Sequence, residues 1–140
     1  MEGEGKEYYF SGILKFEVEY INVLKNGNEK EYDDYGNLIF EFEFVDGIKN
    51  GKGKEYYKNG KILFIGVYLN DKRNGNEKEY YQNSEILFEG EYLNGKRNGK
   101  LKEYDENWKH KYICELLNGE KVRQYINHIE KNNSLIEALN

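Results

Sequence analysis

Short segments in which apolar and polar positions alternate recur along the chain at one fixed spacing. In residues 62–69, Phe64, Gly66 and Tyr68 fall on one side of a period of two, the signature of a half-buried β-strand. A polar-aromatic segment, residues 54–57, precedes it, and Asn59-Gly60 between them is a strong hairpin signal because both residue types tolerate positive φ. A second turn region, residues 70–75, leads onward. The same pattern returns every 24 residues: Lys-Glu-Tyr stands at Lys6, Lys30, Lys54, Lys78 and Lys102. Phe16, Phe40, Phe64, Phe88 and Tyr112 form one column on that ruler; Tyr20, Phe44, Tyr68, Tyr92 and Leu116 form another. All 15 glycines occupy just five of the 24 columns, which scattered loop glycines would not do. A fixed period of this size marks tandem structural units.

The pattern predicts five β-hairpin units over residues 1–122, at about 3–26, 27–50, 51–74, 75–98 and 99–122. The chain contains no proline, so every backbone N–H is free to join a ladder. From residue 123 to residue 140 the period changes. Val122, Tyr125, Ile126 and Ile129 lie at i, i+3, i+4 and i+7, and Ser134 to Glu137 has the form of a capping box. That spacing predicts an amphipathic helix capping the end of the sheet.

Parity sets the expected faces. A three-residue loop, Lys58-Asn59-Gly60, pairs Tyr56 with Ile62. The column of Tyr8, Tyr32, Tyr56, Tyr80 and Tyr104 never varies, whereas its neighbour (Tyr9, Asp33, Tyr57, Tyr81, Asp105) accepts Asp twice and is expected to face water. Tyr56, Phe64, Gly66 and Tyr68 are therefore expected on one aromatic face. On the other face, Ile65 and Val67 replace glutamates of other units, and with Tyr57, Leu63 and Leu69 they predict an outer apolar patch. Another element, such as the tail helix, or a partner would cover it.

The stretch from Phe88 through Gly90, Tyr92 and Gly95-Lys96 to Gly99 resembles a MORN repeat, whose pattern is aromatic-x-Gly-x-aromatic followed by Gly-Lys-x-x-Gly. Residues 64–75 match nearly as well, with Asp71 at the first turn glycine; the first and second units carry Val18 and Phe42 at the mid-strand glycine, and the fifth is degenerate. The resemblance implies an all-β protein: an elongated single-layer antiparallel sheet with aromatic side chains filling a concave face. It also implies scaffolding, protein contact or phospholipid binding. On that reading Tyr32, Phe40, Tyr56, Phe64, Tyr68, Tyr80, Phe88, Tyr92 and Tyr104 line the concave partner-binding face.

Composition narrows the function. Charged residues make up 34% of the chain and mean hydropathy is −0.98, yet the 16% aromatic content supplies enough buried area to fold. The net charge of −5 argues against nucleic acid, whose binders concentrate Lys and Arg. No apolar run approaches a membrane span, the N-terminus does not read as a signal peptide, and the single cysteine fits a reducing, cytoplasmic setting. His110 and Cys114 lie four apart on a strand, roughly 13 Å. That is too far for a thiolate–imidazole pair, and no third residue completes a metal site. Pairs such as Glu41/Glu43 and Glu89/Glu91 recur as the solvent face of the strands, so no enzyme, metal or cofactor is expected. Two functions remain: a protein or peptide partner bound through the aromatic face or the outer patch, and anionic lipid bound by the basic turns Lys49, Lys72-Arg73 and Lys96-Arg97. Self-association is expected to be absent or weak. Trp108, in a turn column otherwise held mainly by glycine, is expected to seal the end of the groove.

Overall fold

The computed structural model describes residues 2–107, 110–129 and 135–139. Its strands are β1 (Gly3–Tyr8), β2 (Leu14–Ile21), β3 (Leu24–Tyr32), β4 (Leu38–Val45), β5 (Ile48–Tyr56), β6 (Ile62–Leu69), β7 (Lys72–Arg73), β8 (Gly75–Tyr80), β9 (Ile86–Leu93), β10 (Lys96–Tyr104), β11 (His110–Leu117), β12 (Glu120–Ile129) and β13 (Leu135–Leu139). They form one open antiparallel sheet in chain order, with β7 pairing β6 beside the longer β8. Among the described residues there is no helix, and so none long and apolar enough to cross a membrane. Trp108 lies outside the described residues.

The expected capping helix is not supported. Residues 120–129 instead pair with β11, Ile126 opposite Tyr112 and Tyr125 opposite Ile113, and β13 pairs with β12. Val122, Ile126 and Ile129 are β-branched, a class that suits strands, and β11 offers an unpaired edge to template them.

A single layer has no opposing sheet to bury against, so its core is built between neighbouring strands. A row of paired residues crosses the middle of the strands and matches large with small. Phe42 pairs with Gly53, Glu77 with Gly90, and Leu101 with Cys114. A Cβ on Gly53 would lie 2.9 Å from Phe42 Cδ1 and 2.8 Å from Tyr68 Cε2, and one on Gly90 would collide with Leu101. Phe64 and Phe88, each 1% exposed, flank this row.

The turns that join the hairpins are two-residue turns with both residues at positive φ: Asn22-Val23, Asp46-Gly47, Asn70-Asp71, Asn94-Gly95 and Asn118-Gly119. Each later turn is tied to its predecessor, as in Gly47 N–H to the Lys25 carbonyl (2.8 Å) and Gly95 N–H to the Arg73 carbonyl (2.8 Å). Val23 is the outlier: a β-branched side chain held at φ 63° and largely exposed. Left-handed geometry costs an L-residue about 1–2 kcal/mol, so Val23→Gly is expected to raise the unfolding free energy by about 1 kcal/mol in urea melts. Asp71→Gly should gain less, because Asp71 Oδ1 accepts the Lys49 N–H at 2.8 Å.

Candidate functional site

The three-residue loop forms as expected: Gly60 N–H bonds the Tyr57 carbonyl (2.9 Å), Tyr57 N–H bonds the Lys61 carbonyl (2.8 Å), and Tyr56 pairs with Ile62. One step on, the register skips Leu63, so Phe64 pairs with Glu55 rather than keeping step with Tyr56. That β-bulge reverses the parity. Tyr56 shares a face with Lys54, and its hydroxyl donates to Glu41; Tyr32 donates to Glu17 (3.1 Å) and Tyr104 to Glu89 (3.1 Å). Glu41 pairs with Lys54 and Glu17 with Lys30, on the side opposite the Phe column. Tyr32, Tyr56, Tyr80 and Tyr104 thus leave the expected aromatic face. Phe40, Phe64, Tyr68, Phe88 and Tyr92 remain on it.

That face is roofed by cations. Across each of the first four two-residue turns an aromatic pairs with a basic residue: Tyr20 with Lys25, Phe44 with Lys49, Tyr68 with Arg73, Tyr92 with Arg97. Arg73 Cζ lies 4.2 Å from the Phe64 ring centre and 5.5 Å from that of Tyr92; Arg97 Cζ lies 4.1 Å from Phe88, and Lys49 Nζ lies 3.8 Å from Phe42. Desolvated cation–π contacts contribute up to about 2 kcal/mol each. Arg97 Nε also donates to Tyr92 Oη (3.1 Å), and Arg73 meets Glu55, Glu77 and Glu79 at 3.7–3.9 Å. The rings are therefore packing surface for the protein's own cations. Lys49, Arg73 and Arg97 are in turn withdrawn from the basic ridge expected at the turns; Lys72 and Lys96 stay exposed.

On the opposite face, lysine, glutamate and tyrosine form a repeating lattice, and Ile65 and Ile113 stand in its glutamate column. Where Tyr32, Tyr56 and Tyr104 each find a glutamate, Tyr80 faces the column position held by Ile65, and among the described residues its hydroxyl has no acceptor. Ile65 pairs with Lys54 and Lys78, and Val67 with Lys52. None of these three lysines makes an ion pair among the described residues, although Lys54 and Lys78 keep Glu41 and Glu89 opposite them on their other flanks. An open groove of about 350 Å³ runs here, with Lys52, Ile65, Val67, Asn76, Lys78 and Tyr80 in its lining. Val67 is 40% and Leu69 46% exposed, whereas Ile65 and Leu63 are half-buried.

Tyr57 does not join this patch. Its hydroxyl donates to the Tyr80 carbonyl at 2.6 Å, as Tyr9 does to Tyr32 (2.8 Å) and Tyr81 to Tyr104 (2.8 Å). The column expected to face water is therefore a set of staples between successive hairpin ends. Asp33 in that column serves its own turn, accepting from the Tyr35 and Asn37 N–H groups. Its neighbours' staple role was hidden because a hydroxyl reaching one unit along leaves no local signal.

Among the described residues, no group of three or more His, Cys, Asp or Glu is placed to hold a metal ion. Cys114 is packed with Phe88 and Leu101, and burial pushes its thiol pKa up, away from a reactive thiolate.

A family model described as a MORN repeat variant matches residues 1–22 and 73–94, and one described as a MORN repeat matches residues 43–62. No curated protein matches the chain.

Proposed function

We infer from these matches that the chain is a MORN-repeat protein, and from that premise we propose that it is a non-catalytic interaction module whose contact surface is the outer face around β6. Repeats of this family are protein- or membrane-interaction modules, typically without catalysis. The observation that carries the proposal is the departure at β6, where Ile65 and Val67 stand in place of glutamates and leave Lys54 and Lys78 a glutamate, Glu41 or Glu89, on one flank only. Elsewhere on this face Lys102 pairs with Glu89 at 3.5 Å and Lys6 with Glu17 at 3.9 Å. A surface of apolar centre and cationic rim fits a protein segment with apolar residues between carboxylates. A second copy offering the same patch would set lysines against lysines, which disfavours two-fold self-association here. The lipid reading loses its main support once Lys49, Arg73 and Arg97 lie on the aromatic rings.

The test is a titration with soluble peptides in which leucine alternates with glutamate, followed by amide shifts, against a matched leucine–lysine series. Shifts should centre on Ile65, Val67 and Tyr80 with the acidic series alone. Ile65→Glu combined with Val67→Glu should weaken binding at least about tenfold while leaving the melting temperature within a few degrees, since the first, second and fourth units carry glutamate in both columns. Equal binding by the double variant, or binding of anionic vesicles that it abolishes instead, would overturn the assignment.

A further inference from the structure

The repeat contains its own description of what belongs beside β1. Inside the sheet, the first strand of each unit is flanked by the last strand of the unit before. Against β5, Phe40 pairs with Glu55, Glu41 with Lys54 and Phe42 with Gly53. Against β3, Phe16 pairs with Glu31 and Glu17 with Lys30; against β10, Phe88 pairs with Glu103 and Glu89 with Lys102. β1 carries the same columns, Gly5, Lys6 and Glu7, and among the described residues it pairs with β2 alone.

Size matching in the central row adds a constraint. A glycine in the Gly53 column is covered from both sides, by Phe42 and by Tyr68. Two large residues in that column follow a glycine on the preceding strand, Glu77 after Gly66 and Leu101 after Gly90, while Glu29 follows Val18. Gly5 is the glycine case at the sheet edge: Tyr20 covers it, and among the described residues no preceding strand lies beside β1 to supply a second cover. What remains is an open groove of about 470 Å³ with Gly3, Glu4, Gly5, Tyr20 and Val23 in its lining.

We propose that β1 is an acceptor edge for an antiparallel strand of a partner polypeptide carrying an aromatic–acidic–aromatic triplet. Its second ring lies over Gly5, its carboxylate meets Lys6, and its first ring lies opposite Glu7. Main-chain ladder bonds supply affinity, and the triplet supplies register and selectivity. The carboxylate would join or replace Glu4, which holds Lys6 Nζ at 3.2 Å on an exposed surface where exchange costs little. A second copy of this chain is the poorer occupant. Its β13 places Ile136, Glu137 and Ala138 in the matching columns, and alanine over Gly5 leaves the groove unfilled. This edge is separate from the β6 surface, so the two readings stand or fall independently.

The probe is a peptide with the sequence of residues 38–45, Leu-Ile-Phe-Glu-Phe-Glu-Phe-Val, acetylated, amidated and carried on a polar tail. Binding is read by fluorescence anisotropy, and its place by amide hydrogen exchange. We expect protection gained on β1, and binding about tenfold weaker when the central Phe (position 42 of the parent) is replaced by Ala. Lys6→Glu should weaken binding similarly, and a peptide with Lys in place of the first Glu should recover it on that variant. Gly5→Val should abolish binding, but its Cβ would crowd Tyr20, so the Lys6 charge swap is the deciding arm because it leaves packing alone. Absence of binding at about 1 mM peptide, protection on β6 instead of β1, or a charge swap that restores nothing would each overturn the proposal. So would concentration-dependent self-association in sedimentation that the peptide fails to compete away.

Discussion

Phe88→Ala is expected to lower the unfolding free energy by about 3–5 kcal/mol, a large share of the total for a domain of this size. Phe88 is 1% exposed and packs with Leu101 and Cys114, with Leu87, Tyr92 and Leu116 around them. In a two-layer protein a void under such a ring is partly refilled by the opposing layer. Here the atoms above it are the Arg97 guanidinium, held at 4.1 Å from the ring centre and tied to Tyr92 Oη and to Glu103 Oε1 (3.3 Å). Those ties keep Arg97 from collapsing into the space, so the cost falls toward the upper end of the range. The control is Phe10→Ala: Phe10 is fully exposed in a turn and should change stability by less than about 0.5 kcal/mol. Urea unfolding of the two variants checks the contrast. Because repeat arrays couple mainly to their neighbours, hydrogen exchange should place the Phe88 loss on β9 and β10 first. Equal costs at the two positions would show that the row is not the core.

The strands and the hairpin loops were legible because the 24-residue columns repeat both the alternation and the turn residues. Facing was legible only in part. The bulge that carries Leu63 has no residue of its own to announce it, and one extra residue there and in the equivalent hairpins moves Tyr32, Tyr56 and Tyr80 to the other side. The cation roof did leave a signal. Lys25, Lys49, Arg73 and Arg97 share a column five residues after an aromatic column, and a two-residue turn necessarily pairs such positions. Reading those cations as a ridge on the turns overlooked that arithmetic. The tail misled for a different reason: Val122, Tyr125, Ile126 and Ile129 satisfy a helical period, but an adjoining sheet edge outweighs periodicity in so short a segment. The defect at Ile65 and Val67 was visible as a departure from the repeat, whereas the missing acceptor of Tyr80 became visible only once the tyrosines were known to face the glutamates.

Glu77 should make this protein less stable as pH rises from about 4.5 to 7, and Glu77→Gln should remove that slope. The side chain sits in the central row between Gly66 and Gly90 strands, 3% exposed, and neither carboxylate oxygen has a hydrogen-bond partner. Its nearest cation, Arg73 Nη1, stands 3.7 Å from Oε2. Burial raises its pKa from 4.5 to about 7; the neighbouring Arg73 charge opposes the rise without cancelling it. Below the unfolded value the carboxyl is protonated in both states and contributes no pH dependence. Between the two values the unfolded chain has released the proton while the folded chain retains it, so each increment of pH favours unfolding. Above the folded value both states are ionised, and the penalty is complete and constant. A displacement of this size corresponds to about 3 kcal/mol, an upper figure because Arg73 and water entry soften it. Glu77→Gln should accordingly be more stable than the parent by about 2 kcal/mol at pH 8 and close to it at pH 4. Arg73 is not orphaned by the change, since Glu55 and Glu79 remain at 3.8 and 3.9 Å. The equivalent position two units earlier separates burial from column: Glu29 is also buried, but Lys25 bonds it directly, so Glu29→Gln should destabilise rather than rescue. Melts of both variants at pH 4, 6 and 8 decide the matter. An unchanged slope in Glu77→Gln would mean that the buried carboxylate is already solvated or paired, and that the pH dependence of the fold arises elsewhere.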